Sequence, residues 1–215
     1  EAIDHIASKG KPVILATGAA TLEEVDNAVA AIARHGVSYS VMQCNTNYTG
    51  VSDNMNHIHL NVLNTYRERY PDALLGLSDH THGDVTVLGA VALGARVVEK
   101  HFTNDITQVG PDHHFSMTPV SWREMVERTR ELEAALGSGR KVVAENEKET
   151  VVIQRRGLRF AGPLKAGTPI AAEHLVALRP ATPGIITPDH LEDVVGKTLI
   201  KDVEFHEMVT REHLS

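Results

Sequence analysis

The sequence lacks several features that would assign it to whole classes of protein. Cys44 is the only cysteine among 215 residues, which excludes an internal disulfide and favours a reducing compartment. No apolar run approaches the roughly 20 residues that a membrane-spanning helix needs. The formal net charge of −7 argues against a nucleic-acid-binding surface. No secretory signal is evident, so we expect a cytoplasmic protein with neither nucleic acid nor membrane as a partner.

A strand–helix pattern repeats four times within residues 1–137. Thr21-Leu-Glu-Glu24 and Ser121-Trp-Arg-Glu124 each have the spacing of a capping box and predict the start of a helix. Four β/α units in succession predict a parallel sheet with helices outside it. The apolar runs that predict the strands lie at 12–16, 40–44, 73–78 and 96–102.

Four β/α units are half of the eight that close a (β/α)₈ TIM barrel, which typically needs about 250 residues. An open four-stranded sheet is the alternative, but its edges would expose apolar residues such as Val13 and Ile14. We therefore expect half of a barrel whose preceding units are missing. The first residue is Glu1 and not Met, which indicates a processed start or a fragment.

The rest of the chain changes character. Residues 138–150 are charged and contain glycine, which is typical of a linker, and 151–215 hold five of the nine prolines and short β-like runs. A repeat of 39 residues relates Gly157 to Gly196 and Leu164 to Val203. This repeat predicts two pseudo-symmetric halves packed into one small β domain.

The most informative residues follow the third and fourth predicted strands. Side chains alternate along a strand, so Ser78 and His80 share one face, as do Glu99 and His101. Parallel strands joined by a helix are neighbours, which brings the two imidazoles together. Two imidazoles with carboxylates beside them predict a divalent-metal site at the mouth of the sheet.

Four features together resemble the sialic acid (N-acetylneuraminate) synthases and the related legionaminic and pseudaminic acid synthases. They are Gly-Leu-Ser-Asp-His-Thr at 76–81, Val-Val-Glu-Lys-His-Phe at 97–102, Gly-Pro-Asp-His at 110–113, and the C-terminal β module. The resemblance implies a TIM barrel followed by an antifreeze-like (SAF) domain. By this resemblance, the four predicted strands correspond to strands five to eight of that barrel.

That resemblance also implies a reaction. Enzymes of this family condense phosphoenolpyruvate with an open-chain N-acyl amino sugar such as N-acetylmannosamine. The C3 carbon of the enol attacks the sugar aldehyde, water adds at C2, and phosphate leaves by C–O cleavage. A divalent metal, Mn²⁺ or alternatively Mg²⁺ or Co²⁺, would stabilise the developing alkoxide.

The resemblance assigns three residues to catalysis. His80 and His101 match the metal-binding histidines, and Glu99 matches a glutamate that contacts the sugar and assists proton transfer. The competing interpretation of Glu99 is a salt bridge, for example with a lysine. Asp79 points to the opposite side of its strand, where we expect a scaffolding role.

Four further residues match substrate contacts. Ser78 matches a phosphoenolpyruvate contact, Tyr48 a substrate-contacting tyrosine, and Asp112 a sugar-binding carboxylate. Arg179 matches an arginine that reaches from the SAF domain into the other subunit's barrel, which implies a homodimer. Loop packing for Tyr48, an Asx-turn for Asp112 and a solvated surface charge for Arg179 are the structural alternatives.

The chain departs from the family pattern at the first predicted strand. It ends Ala16-Thr17-Gly18 where the family often has Ser-Thr-Gly, so the phosphate contact would fall to Thr17 or to a backbone N–H. We expect the isolated chain to be inactive. Two other functions stay open, a non-catalytic carbohydrate-binding or antifreeze-like module and another metal-dependent aldolase of the same barrel class.

Overall fold

Four parallel strands form a curled half-barrel in the N-terminal part of the chain, in the order β1-β2-β3-β4. The computed structural model describes residues 1–49 and 52–215, which divide into two units, Glu1–Gly139 and Arg140–Ser215. The elements of the first unit are α1 (Ala2–Ala7), β1 (Val13–Ala16), α2 (Leu22–Ala33), β2 (Tyr39–Cys44), α3 (Val62–Arg69), β3 (Leu74–Asp79), α4 (Val85–Ala92), β4 (Val97–Lys100) and α5 (Pro119–Leu136).

The register of β3 against β4 sets the positions of the residues that follow them. Ser78 pairs with Glu99 and Asp79 with Lys100, so both strands end at the same level. A Cβ at Gly76 would lie 2.8 Å from the carbonyl oxygen of Val97, so glycine permits the close approach of these strands.

The core of the half-barrel lies between the sheet and its helices. Helix α2 contributes Val25 and Val29 at helical spacing, and they pack with Val41 of β2 and Leu77 of β3. At the β1 edge, Ile14 is 62% exposed, as expected for an open edge. Val13 is instead buried against α1, a helix that the sequence analysis did not predict.

One of the two predicted capping boxes is present. Thr21 caps α2, and its hydroxyl and backbone N–H both bond with Glu24. The second prediction was wrong, because α5 begins at Pro119 and is capped by Thr118 and Ser121. Proline is favoured in the first turn since it has no backbone N–H to leave unbonded, and this moved the helix start upstream.

The second unit contains α6 (Lys148–Gln154), β5 (Gly157–Phe160), β6 (Leu175–Leu178) and α7 (Leu191–Val194). Strands β5 and β6 pair antiparallel. Within 138–150, expected as a linker, lie a 3₁₀ turn at Glu145–Glu147 and the first residues of α6. Among the described residues, no helix is both long and apolar enough to cross a membrane.

The 39-residue repeat corresponds to a repeated hydrogen-bond pattern. Leu164 and Val203, which occupy equivalent positions, exchange backbone hydrogen bonds of 3.0 and 2.9 Å. His174 and His213 are also equivalent, and the Nδ1 of each accepts the backbone N–H three residues earlier, at 3.1 and 3.2 Å. The two halves of this unit therefore pair with each other around a pseudo-two-fold relation.

Candidate active site

Ser78 and Glu99 meet where β3 and β4 end. The Ser78 hydroxyl, which is buried, donates a 2.8 Å hydrogen bond to Glu99 Oε1. Glu99 itself is exposed, so one of its carboxylate oxygens is fixed by the protein while the side chain stays open to solvent. This arrangement presents a fixed carboxylate that can accept a proton.

His80 is the first residue beyond β3, and its ring has a defined tautomer. Its Nδ1 lies 2.8 Å from the carbonyl oxygen of Asn45, just beyond the end of β2. A carbonyl oxygen only accepts hydrogen bonds, so Nδ1 carries the proton and Nε2 keeps a lone pair. An imidazole held in this way is suited to bind a metal through Nε2.

The second imidazole lies beside the first, as the strand alternation predicts. The ring centroids of His80 and His101 are 5.0 Å apart. Tyr48 contacts both rings, at 4.3 Å from His80 and 5.6 Å from His101, and is itself half-exposed. Phe115, which is buried, packs 4.9 Å from the His101 ring. The pair of histidines is thus held between two aromatic rings.

The surroundings of His101 keep its ring neutral. Burial lowers the pKa of His101 below its usual value of 6.5, and the positive charge of His80 in its protonated form lowers it further. The carboxylates of Asp112 and Glu99 act in the opposite direction but do not reverse the shift. A neutral imidazole at neutral pH is the form that binds a metal.

Asp112 lies beside the same histidine. Its Oδ2 is 3.7 Å from Nδ1 of His101, too far for a hydrogen bond but close enough for the charge to favour a proton on Nδ1. The backbone oxygen of Asp112 accepts a 2.6 Å bond from Ser116. The structure therefore brings five of the seven predicted site residues together, Tyr48 among them, and the sixth, Asp112, lies at their edge.

The donor set fits a metal with few protein ligands. His80 and His101 offer two imidazole nitrogens, and across residues 1–49 and 52–215 no group of three His, Cys, Asp or Glu side chains could hold a metal ion. Two protein ligands would leave most positions of a divalent ion open to water and substrate, as catalysis by a metal requires.

Comparison with known proteins decides the family. The model of the NeuB family matches residues 1–141, and that of the SAF domain matches 155–215. The chain belongs to the NeuB family. Its half-barrel is the NeuB portion, and the second unit contains the SAF domain.

Several relatives are synthases. The chain is 34% identical to N,N'-diacetyllegionaminic acid synthase of Legionella pneumophila over 99% of this chain and 59% of the relative. It is 32% identical to pseudaminic acid synthase of Campylobacter jejuni over 93% of this chain and 57% of that protein. This NeuB-family chain thus spans about 60% of the length of the curated relatives it matches.

A solved structure supports the same assignment. The crystal structure of a spore coat polysaccharide biosynthesis protein E from Chromobacterium violaceum superposes with a TM-score of 0.73 at 28% identity. The match covers 99% of this chain and 63% of that one. Residues of both units therefore have counterparts in that structure.

Asp79 of the NeuB half-barrel and Arg179 of the second unit both have defined surroundings. Asp79 does point away from the histidines, and it is buried in an ion pair with Lys100, whose Nζ lies 2.5 Å from Oδ2. Lys100 is therefore committed to Asp79 and is not a salt-bridge partner of Glu99. Arg179 follows β6 in the second unit, where it is exposed.

Thr17 cannot serve as the phosphate contact that the sequence suggested. Its side chain is buried, its hydroxyl donates to the carbonyl oxygen of Met42 at 2.8 Å, and it accepts from Tyr66 at 2.9 Å. A hydroxyl has one proton, so none is left for a phosphate. A phosphate contact on this side of the site would therefore have to come from a backbone N–H.

Three residues near the NeuB site were not predicted from the sequence. Asn45 fixes the His80 ring through its backbone oxygen, and Phe115 packs against His101. Lys100 donates a hydrogen bond to Asp79 on the other face of the two strands. Strand alternation could have indicated Lys100, which must face away from Glu99 and His101. The other two contacts join residues distant in sequence, for which no local pattern exists.

Proposed function

We propose that this chain is part of a nonulosonic (sialic) acid synthase, which condenses phosphoenolpyruvate with N-acetylmannosamine or a related N-acyl amino sugar and releases phosphate. The observation that carries the proposal is the pair of imidazoles at the ends of β3 and β4, with His80 held as the Nδ1–H tautomer beside the Ser78–Glu99 hydrogen bond. The names of the relatives, which are legionaminic and pseudaminic acid synthases, support the reaction class.

The residues of the site have separate tasks in this reaction. His80 and His101 would hold a divalent metal, with Mn²⁺ as the first candidate, and the metal would supply Lewis-acid polarisation of the sugar's aldehyde oxygen. Glu99 accepts a proton through its outer oxygen, for which the described part of the chain provides no hydrogen bond, while Ser78 fixes the other oxygen. Burial of Ser78 keeps the donor end of this bond out of water and so helps to hold the carboxylate in one orientation.

Substrate binding falls to the remaining polar groups. Asp112 lies where its carboxylate can accept hydrogen bonds from sugar hydroxyl groups, and Tyr48 offers an exposed ring and hydroxyl beside the histidines. Ser78 would lie close to the phosphoenolpyruvate. The relatives belong to more than one acceptor class, so the acceptor has to be found by experiment.

We further propose that the active enzyme is a cytoplasmic homodimer in which Arg179 of one subunit completes the other subunit's site. The exposed guanidinium after β6 can bind carbonyl and hydroxyl oxygens of a sugar. In this proposal the half-barrel alone does not turn over, because a TIM-barrel active site draws on loops from several of its eight strands.

The test is phosphate release from phosphoenolpyruvate. The 215-residue chain and an extended chain that carries the four preceding β/α units would each be assayed with N-acetylmannosamine and with a diacetamido sugar, in Mn²⁺ and in EDTA. We expect sugar-dependent, EDTA-sensitive release from the extended chain only. A folded, Mn²⁺-loaded dimer that releases no phosphate with either acceptor would refute the synthase and favour a carbohydrate-binding module.

A further inference from the structure

Among the described residues of the half-barrel, Asp79 and Lys100 form the most deeply buried ion pair. The two side chains are 0% and 1% exposed, and Nζ of Lys100 lies 2.5 Å from Oδ2 of Asp79. Neither group faces the candidate active site. Replacing a buried ion pair by apolar residues of similar size is often neutral or stabilising, so a contribution to stability does not by itself explain this pair.

The hydrogen bonds of this pair hold the chain on both sides of His80. Asp79 precedes His80, and its carboxylate accepts bonds from the Thr81 hydroxyl at 3.0 Å, the Thr81 backbone N–H at 3.3 Å and the Thr86 hydroxyl at 2.7 Å. Lys100 donates a second bond, at 2.8 Å, to the backbone oxygen of Thr81. The residues before and after His80 are therefore tied to one ammonium group.

That ammonium group belongs to the residue that precedes His101. Asp79 and Lys100 are paired neighbours in the β3–β4 register, and each is followed directly by one of the two histidines. A parallel pair shifted by one residue would turn one of these side chains to the other face and separate the imidazoles. The buried bonds are satisfied only in the register that the structure has.

We propose that Asp79 and Lys100 are positioning residues that set the separation of His80 and His101 and so prepare the metal site. The inference rests on the proposed function, since it assigns the pair a role in the same site. The pair does not touch the metal or the substrate. It acts through the backbone of residues 79–81 and 100–101, which carries the two rings.

The test uses a variant in which both charges are removed together, Asp79→Asn with Lys100→Met. The double change avoids the unpaired buried charge that either single change would leave. Affinity for Mn²⁺ alone is measured by electron paramagnetic resonance, and the His80 tautomer is read from ¹⁵N chemical shifts in the metal-free chain. We expect a cooperatively folded variant whose Mn²⁺ affinity is about 10- to 100-fold weaker, the range found for residues that orient metal ligands. We also expect its His80 to lose the single Nδ1–H form.

The matched control is Asp84→Asn with Arg128→Met. This pair joins Asp84, at the start of α4, to Arg128 of α5 through bonds of 2.8 and 3.1 Å, so it ties two helices and not the two strands that carry the histidines. We expect the control to keep both the Mn²⁺ affinity and the His80 tautomer of the unmodified chain.

Each outcome decides one of two questions. If the folded double variant keeps the unmodified affinity and tautomer, the positioning role is overturned. If the unmodified chain binds no Mn²⁺, the metal-site part of the proposed function fails, and the tautomer comparison alone decides the role of Asp79 and Lys100.

Discussion

The hydroxyl of Ser78 donates a 2.8 Å hydrogen bond to Glu99 across neighbouring strands, and the two residues are paired in the β3–β4 register. The bond gives the carboxylate one orientation beside the two imidazoles. It also links a residue expected to contact phosphoenolpyruvate with one expected to move a proton. The site is therefore built from strand pairing before any loop contributes to it.

Replacing Glu99 by glutamine should separate proton transfer from binding. The amide oxygen can still accept the Ser78 bond, but the side chain can no longer take up a proton at neutral pH. We expect kcat of the extended chain to fall by about 10²- to 10⁴-fold, with little change in KM for either substrate. Ser78→Ala keeps the charge of Glu99 and loses only the hydrogen bond to it, so we expect a smaller fall in kcat. Near-normal turnover in Glu99→Gln would remove Glu99 from the chemistry.

Loss of either strand-end histidine should abolish Mn²⁺ binding. Among residues 1–49 and 52–215, His80 and His101 are the two imidazoles that converge at the ends of β3 and β4, so His80→Ala and His101→Ala each leave a single nitrogen ligand. Isothermal titration calorimetry on the EDTA-treated chain would measure the affinity. His114→Ala is the control, because His114 is exposed and its Nε2 bonds to the Thr49 carbonyl oxygen at 3.0 Å. Equal affinity in all three variants would mean that Mn²⁺ binds elsewhere.

His101 should titrate below 6.5 in the metal-free chain, because burial and the charge of His80 lower its pKa. An NMR titration of the ring protons would show this directly. The pKa should rise in His80→Ala, which removes a repelling charge, and fall further in Asp112→Asn, which removes an attracting one. The reverse order in these two variants would contradict the geometry.

The lowered pKa of His101 also makes the stability of the fold depend on pH. With a folded-state pKa below the unfolded value, the unfolded chain binds more protons in the intervening window, so the free energy of unfolding rises with pH there. The contribution of His101 is therefore complete above about pH 6.5 and is lost as pH falls through the lowered pKa. Denaturant unfolding at several pH values, compared between the unmodified chain and His101→Phe, would measure it.

Thr17→Val should weaken the fold without affecting phosphoenolpyruvate binding. The substitution removes a buried hydroxyl that bonds Met42 and Tyr66, which should lower the free energy of unfolding by about 1–3 kcal/mol. Thr17→Ser keeps the hydroxyl and should lower the free energy of unfolding by a smaller amount. Urea denaturation measures the first effect, and KM for phosphoenolpyruvate in the extended chain measures the second. A large rise in that KM with unchanged stability would return Thr17 to the phosphate site.

Local patterns in the sequence were sufficient for much of the architecture. Apolar runs predicted all four strands of the half-barrel, and helical spacing predicted the apolar face of α2. Alternation along β3 and β4 placed Ser78 with His80 and Glu99 with His101. These predictions succeed because strand alternation and helical periodicity depend on neighbours a few residues apart. The start of α5 was misplaced because Thr118 with Pro119 and Ser121 with Glu124 both have the local form of a helix start.

What only the tertiary structure decided are the contacts between residues far apart in the chain. Asn45, just beyond β2, fixes the tautomer of His80. Tyr66 of α3 occupies the hydroxyl of Thr17, and Lys100 of β4 bonds to Asp79 of β3. Each depends on how the sheet curls and which strands become neighbours. The sequence by itself therefore determined which side chains of β3, β4 and the residues that follow them share one face. Packing decided the proton that His80 carries, the partner of each buried charge and the hydroxyl groups left available to a substrate.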